Sequence, residues 1–397
     1  MRWPFVILIG AMGLVTAGCG SETNDEPAAS GGAAGAAGAG GAAGAAGAGG
    51  GGGSSSGCSA EVKLLEKSSD FSQPGPWPVG GRTVTIGKLT VEVWYPGTPG
   101  SDAGKPSKTY DLRTWLPATE KDKIPDADNP WQKSKTFAEL PLDAAHGPYP
   151  VVVFVHGTAG FRTQSLEQME HWASRGFVVL AADHPGLYLG DMLEFNTAER
   201  DLEGDLKAIV SAAEATSGEL GFLKGHADAT RIGMAGHSAG GGAIKGWGGK
   251  AQVLMPLAAG GTAPGSALGS TLVMGGQADK VVQYAETVKG YEASPKKKRL
   301  VGLAGAGHLF PSALCWLENG SGSNIFQVAE KYGVKNANLA GLLFDCPAGQ
   351  PSAAESRAIV NFATAATLEE TLHCAAGEPF GDLKAKFPKV GEYRYAP

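Results

Sequence analysis

A doubly wound, mostly parallel α/β sheet flanked by helices is the fold class this sequence predicts, and three observations predict it. Apolar runs of strand length alternate with amphipathic, helix-length segments from residue 80 onward. Several of those runs, such as Val151-Val-Val-Phe-Val155, are continuously apolar, as strands covered on both faces of a parallel sheet are. One run, Ala229-Thr-Arg-Ile-Gly-Met-Ala-Gly-His-Ser-Ala-Gly-Gly241, passes through a Gly-x-Ser-x-Gly turn into a small-residue helix. Ligands in such sheets bind beyond the carboxyl ends of the strands, so the residues just after each strand are where chemistry is sought.

Taken in order, Lys88-Leu-Thr-Val-Glu-Val-Trp-Tyr-Pro96 alternates apolar and polar residues and reads as a half-exposed leading strand. Residues 97–149 are rich in Pro, Asp and Lys and read as a surface insertion with little regular structure, or as a cover over the active site. The buried sheet begins at 151–155; 165–175 is helical, 177–182 a second buried strand and 197–215 a long charged amphipathic helix. Ile232-Gly-Met-Ala235 then leads into the serine turn. Further strands are expected at 252–257, 271–274 and 299–303, with a helix near 281–291 and a last one at 353–371. Lys296-Lys-Lys-Arg299 is the densest basic run and reads as a solvated strand entry.

The turn nominates Ser238 as a nucleophile. Glycines on both sides are required because a Cβ at either position would collide with neighbouring backbone, and the sharp turn presents Oγ at a strand end with a helix N-terminus behind it. Gly supplies 61 of 397 residues, so the pentapeptide alone decides little, and Gly53-Ser-Ser-Ser-Gly57 matches it by composition. That second match has no strand before it and no helix after it, whereas Ser238 has both.

A serine hydroxyl needs a base within hydrogen-bond reach and an acid that orients the base; in folds of this type the chain order is Ser, acid, His. No Asp or Glu stands between Ser238 and Asp279, and Asp279 follows the strand at 271–274. The bland alternative for Asp279 is a loop carboxylate capping the helix near Val281. Two histidines follow it: His308, at the end of a strand and glycine-rich loop, is the expected base, and His373, late in the last helix, reads as structural. His237, inside the turn, is expected to pack beneath the nucleophile. His184 is a candidate pocket residue, while His146, His171 and His226 fit no role in this order. An oxyanion needs two fixed backbone donors. The amides of Ala239, next after the serine, and of Thr158, in the His156-Gly157-Thr158 strand exit, are the expected pair.

Val151 to Gly157, the Phe161-Arg162 that follows, Trp172-Ala-Ser-Arg-Gly-Phe-Val-Val-Leu180 and Arg231 to Gly241 resemble the α/β-hydrolase superfamily. The resemblance runs over residues 80–310, and the last helix also fits it. Its nearest branch holds platelet-activating-factor acetylhydrolase-like and cutinase- or polyester-hydrolase-like esterases. It implies an α/β-hydrolase fold and hydrolysis of carboxylic esters through an acyl-enzyme, without metal or organic cofactor. Polyester hydrolases of that branch carry an aromatic residue where this chain has Thr158, and a Trp where Met255-Pro-Leu-Ala-Ala-Gly-Gly261 stands. That departure argues against an aromatic polymer as substrate. Phe161, Tyr188 and Trp247 are the nearby aromatic residues, of a kind that more often builds core or rim than a substrate clamp.

Residues 1–19 read as a secretory signal, with Arg2 ahead of an apolar run from Phe5 to Val15 that is too short to span a membrane. Thr16-Ala-Gly-Cys19 resembles a bacterial lipobox, which implies lipidation at Cys19 and an export destination at the cell envelope, or secretion if Cys19 is not modified. Residues 20–57 are almost entirely Gly, Ala and Ser and cannot build a core; such a composition is expected to act as a flexible tether of about 35 Å. Residues 58–397 are then a single catalytic domain, with insertions near 97–149 and 311–350. The net charge of -6 and the lack of a basic stripe exclude nucleic acid as a partner. The partners expected are a small-molecule or lipid ester and, through the anchor alone, a membrane; a monomer is expected. Setting Cys19 aside, Cys58, Cys315, Cys346 and Cys374 favour two disulfides with three possible connectivities. Cys315 with Cys346 would clamp an insertion, and Cys58 with Cys374 would tie the ends of the domain. Two other readings remain at this level: an amidase or peptidase on the same residues, and a tethered surface protein with a hydrolase scaffold and no catalysis.

Overall fold

The computed structural model describes residues 63–295 and 297–397, so the signal, the linker, Cys19 and Cys58 lie outside the described residues. Strand β5 (Tyr149–Val155) shows why a sheet forms at the centre: all seven of its residues are buried. Alternate side chains of a strand point to opposite faces. Val152 and Phe154 accordingly enter one core with Trp172, Phe177, Ile359 and Ala363, while Val151, Val153 and Val155 enter another with Leu206, Ile209 and Val210. Full burial of such an aliphatic side chain contributes about 1.5–3 kcal/mol, so a helix layer is needed on each face. Helices α1 (Leu166–Ser174) and α8 (Ala353–Leu372) supply the first, and α3 (Leu202–Ala215) the second.

Among the described residues eleven strands make one sheet. Besides β5 they are β1 (Val79–Ile86), β2 (Leu89–Pro96), β3 (Ser107–Tyr110), β4 (Gln132–Ala138), β6 (Val178–Ala182), β7 (Ala227–His237), β8 (Val253–Leu257), β9 (Ser270–Gly276), β10 (Lys298–Leu303) and β11 (Val390–Ala396). Their order is β11-β10-β9-β8-β7-β5-β6-β2-β1-β4-β3. The run from β10 to β6 is parallel; β11, β2 and β3 join antiparallel to their neighbours. After β5 the chain lays β6 on one side, then crosses back to lay β7 on the other. The connections leave β5 and β7 in opposite directions and open a crevice at their carboxyl ends, the place where sheets of this kind bind ligands.

The strands and helices expected from the sequence are present, with shifted bounds. Helix α3 starts at Leu202 and not near 197, because the Asp201 side chain accepts from the Gly204 amide and caps it there. Helix α5 (Tyr284–Ala293) starts three residues later than expected. Three readings are corrected, and one strand, β11, was not expected. Strand β2 is buried almost throughout, not half-exposed, since β1 and β6 flank it and its Glu92 is sheltered by hydrogen bonds from Thr83 Oγ1 and Tyr110 Oη and by Lys108. Residues 97–149 are more regular than expected and extend the sheet edge by β3 and β4. Arg299 is buried, not solvated: its guanidinium pairs with Glu370 and lies over the rings of Phe380 and Tyr395. The polar-looking tail 390–396 forms β11 on the β10 edge. No helix among the described residues is long and apolar enough to cross a membrane.

Candidate active site

Ser238 follows β7 and precedes α4 (Ala239–Ala243), with backbone angles of φ 53° and ψ -117°. Few non-glycine residues adopt such a conformation, and where one does the surrounding structure enforces it. Here the enforcement is steric. A Cβ on Gly236 would lie 2.3 Å from the Gly240 carbonyl oxygen, and one on Gly240 would lie 2.2 Å from that of Val155. Only glycine at both positions lets the chain reverse this tightly against β5.

Asp279 lies in the turn after β9, and His308 in the loop after β10. Asp279 Oδ2 is 2.8 Å from His308 Nδ1, and both residues are buried. A carboxylate only accepts, so Nδ1 carries the hydrogen and Nε2 is left as the basic nitrogen. The other carboxylate oxygen, Oδ1, accepts from the amides of Val281 and Val282, each at 2.8 Å. Asp279 does not cap the next helix, which begins at Tyr284 with Gln283 as its N-cap; its Oδ1 instead holds the turn at 281–282, which fixes the carboxylate that faces His308.

The strand exit after β5 is locked as well. The Gly157 carbonyl accepts from His156 Nδ1 at 2.8 Å and from the Gly160 amide at 3.0 Å. In a trans peptide the following N–H points opposite to the carbonyl, so the Thr158 amide faces away from His156. Burial, with His184 nearby, lowers the His156 imidazole to about 3, so it is neutral. Its Nε2 accepts from the His184 amide at 3.2 Å.

Gln164, at the start of the α1 region, was not singled out by sequence reasoning and joins the three loops. Its Oε1 accepts from the Gly157 amide at 3.4 Å and its Nε2 donates to His237 Nδ1 at 2.7 Å. His237 Nε2 in turn donates to the His308 carbonyl at 3.0 Å. Burial first, and His308 second, hold His237 well below the usual imidazole range, so it stays neutral and can both accept and donate. It is buried within the serine turn and also reaches the cavity wall. His184 does not line the pocket; it is fully buried and pairs with Asp205 at 3.1 Å. His373 is half-buried and stacks on Phe177 with ring centroids 4.2 Å apart.

Ser238, His308, Thr158 and His237 line one cavity of about 1040 Å³, part of it open to solvent. Its wall is overwhelmingly apolar. Leu112, Leu116 and Ile124 come from the 97–149 insertion, and Leu314, Ile325, Phe326, Leu343 and Phe344 from the 311–350 insertion. The two insertions form a cap whose small core, Ile124, Val328, Val334 and Ala337 at the start of α7 (Ala337–Ala340), is completed by Leu193 of α2 (Leu189–Glu194). Lys331 and Tyr332 of helix α6 (Ile325–Lys331) and the residue after it bind Asp128 across the cap. The Cys315–Cys346 disulfide closes the second insertion. Cys374 is also disulfide-bonded, while Cys58, the partner expected for it, lies outside the described residues. Of the aromatic residues expected nearby, Phe161 lines the cavity and stacks on Trp115 at 4.4 Å, whereas Tyr188 and Trp247 pack against the two sheet cores. Phe326 and Phe344 are the aromatic liners that sequence reasoning missed. Among the described residues no group of three or more His, Cys, Asp or Glu side chains could hold a metal ion.

A family model described as Chlorophyllase matches residues 132–245, a span from β4 through the serine turn and into the residues just after α4. A search of curated protein sequences finds no match. Among solved structures, the ferulic acid esterase from Streptomyces cinnamoneus superposes with a TM-score of 0.53 at 16% identity, covering 82% of this chain and 99% of that one. With its strand order, its crevice between β5 and β7 and this structural likeness, the chain has the α/β-hydrolase fold.

Proposed function

We propose that the protein is a serine hydrolase of carboxylic esters, with Ser238 as nucleophile, His308 as base and Asp279 as orienting acid. The observation that carries this reading is the buried Asp279–His308 hydrogen bond beside a cavity that His308 and Ser238 both line. His308 Nε2 takes the Ser238 Oγ proton as Oγ attacks the ester carbonyl carbon, and the amides of Thr158 and Ala239 receive the resulting oxyanion. The proton passes to the departing alkoxide, whose bond to carbon breaks and leaves the acyl-enzyme. Water activated by His308 then releases the acid and restores Ser238. The apolar wall favours a substrate with a bulky uncharged group, because the one cationic side chain at the wall, Arg113, is already bound to Asp111 and Asp126. The family match and the ferulic acid esterase likeness support ester chemistry over amide chemistry. Export and a lipid anchor at Cys19 belong to the same reading and rest on residues 1–19.

A fluorophosphonate should add covalently to Ser238, and Ser238→Ala should abolish hydrolysis of p-nitrophenyl esters with unchanged circular dichroism. Label on another residue, or turnover retained by the alanine variant, overturns the assignment.

A further inference from the structure

We propose that Asp345 is a positioning residue for the catalytic pair, a role that rests on the triad reading above. One oxygen of its side chain, Oδ2, accepts from the His308 amide at 3.0 Å and from the Lys280 amide at 3.0 Å. Lys280 directly follows Asp279, so one carboxylate pins the backbone of the base and the backbone next to the acid.

The need for such a brace is written in the loop itself. Ala304-Gly-Ala-Gly307 leads to His308, and two glycines in four residues leave the backbone unusually free. Gly305 sits at φ +71°, a conformation that side-chain-bearing residues rarely adopt. His237 holds the His308 carbonyl from one side at 3.0 Å, and Asp345 holds its amide from the other. Without Asp345 the peptide flanking the base is fixed at one end only. Gly307 is what admits the brace: a Cβ there would lie 2.4 Å from the Asp345 carbonyl oxygen and 3.0 Å from Oδ2.

Asp345 is also the point where the second insertion returns to its origin. That insertion leaves the fold just after His308 and comes back at Asp345, whose neighbours are Phe344, in the cavity wall, and Cys346, bonded to Cys315. The cap segment that touches substrate is thereby fastened to the residue that carries the base.

The test compares the intact protein with Asp345→Ala, Asp345→Asn and Asp345→Glu, reading the fluorophosphonate labelling rate of Ser238 and the kcat and KM for p-nitrophenyl butyrate. A misplacement near 1 Å costs about 100-fold in rate, so Asp345→Ala should lose about 10- to 100-fold in kcat and labelling rate while KM changes little. Asp345→Asn keeps an acceptor oxygen at the same reach and should stay within a few-fold of wild type. If the alanine variant does not fold, Asp345→Glu decides, because it keeps charge and bulk but carries the carboxylate one methylene too far, and the same slow labelling is expected. A folded alanine or glutamate variant at the wild-type rate overturns the proposal alone, as does an asparagine variant as slow as alanine. Failure of wild-type Ser238 to label overturns the triad reading and this proposal with it.

Discussion

Gly157→Ala is the sharpest perturbation of the proposed oxyanion site, because it moves a backbone without removing any functional group. A Cβ at Gly157 would lie 2.8 Å from His237 Nδ1 and 3.1 Å from Ser238 Cβ. Ordinary contact needs about 3.5 Å or more, so the loop carrying Thr158 must retreat by roughly 0.5 Å. The useful window for an oxyanion donor is about 2.7–3.1 Å, no wider than that retreat. Complete loss of one donor costs about 100- to 1000-fold in kcat, so a weakened donor should cost about 10- to 100-fold. Gly157 does not have a positive φ, so alanine adds no backbone strain and the effect is one of contact. Thr158→Ala keeps the amide and should retain most of kcat. The assay is steady-state hydrolysis of a p-nitrophenyl ester with a thermal melt of each variant. A fully active Gly157→Ala enzyme, or a Thr158→Ala enzyme that is equally impaired, would refute the reasoning.

Cys19→Ser should move the protein from the membrane fraction to the soluble one; a wild-type protein already soluble after export, or a mature chain beginning elsewhere, rejects the anchor. Burial pushes the Glu170 carboxyl up to about 7 despite hydrogen bonds from Thr136 Oγ1 and the Lys135 amide, so the unfolded chain, with its ordinary carboxyl near 4.5, ionises first and wild-type stability falls as pH rises between those values. Glu170→Gln mimics the neutral form, and its stability relative to wild type, read by denaturant titration, should grow by about 3 kcal/mol from pH 4 to pH 8; parallel curves would show that the carboxyl is not held neutral.

The parts of the site that were legible in the sequence are those whose chemistry constrains their own neighbours. Ser238 needs glycines on both sides, Asp279 and His308 need strand ends in a given order, and each requirement leaves a mark within a few residues. Gln164 and Asp345 leave none. Each acts through hydrogen bonds to chain segments dozens of residues away in some or all of its contacts, and nothing in Gln164's or Asp345's own surroundings differs from an ordinary loop. The same limit applies to the fold. The central strands are apolar because helices cover both faces, so burial can be read from them. At the edges, β3, β4 and β11 are strands because a neighbouring strand offers them a ladder, and a polar sequence there says little about pairing. Strand β2 misled for the opposite reason: Glu92 looks like an exposed position, yet three partners compensate its burial.

Catalysis and selectivity consequently sit on different kinds of structure in this molecule. The proposed nucleophile, base, acid and oxyanion amides stand on loops one to five residues beyond β5, β7, β9 and β10. The cavity wall is supplied chiefly by two insertions that could change without disturbing those strands, and they meet one another through a small core and the Asp128–Lys331 pair at 2.7 Å. That pair is largely exposed, and such pairs contribute little, about 0–1 kcal/mol. The apolar core of the cap and the disulfide at its base therefore do most of the holding, and Ile124, Val328 and Phe344, all in the cavity wall, are expected to limit substrate size more than any charge does. Asp345 is the exception to this division, since it belongs to the cap by sequence and to the base by its hydrogen bonds. Changes of substrate preference by substitution in the cap are accordingly expected to leave kcat for small esters intact everywhere except at that residue and its immediate neighbours.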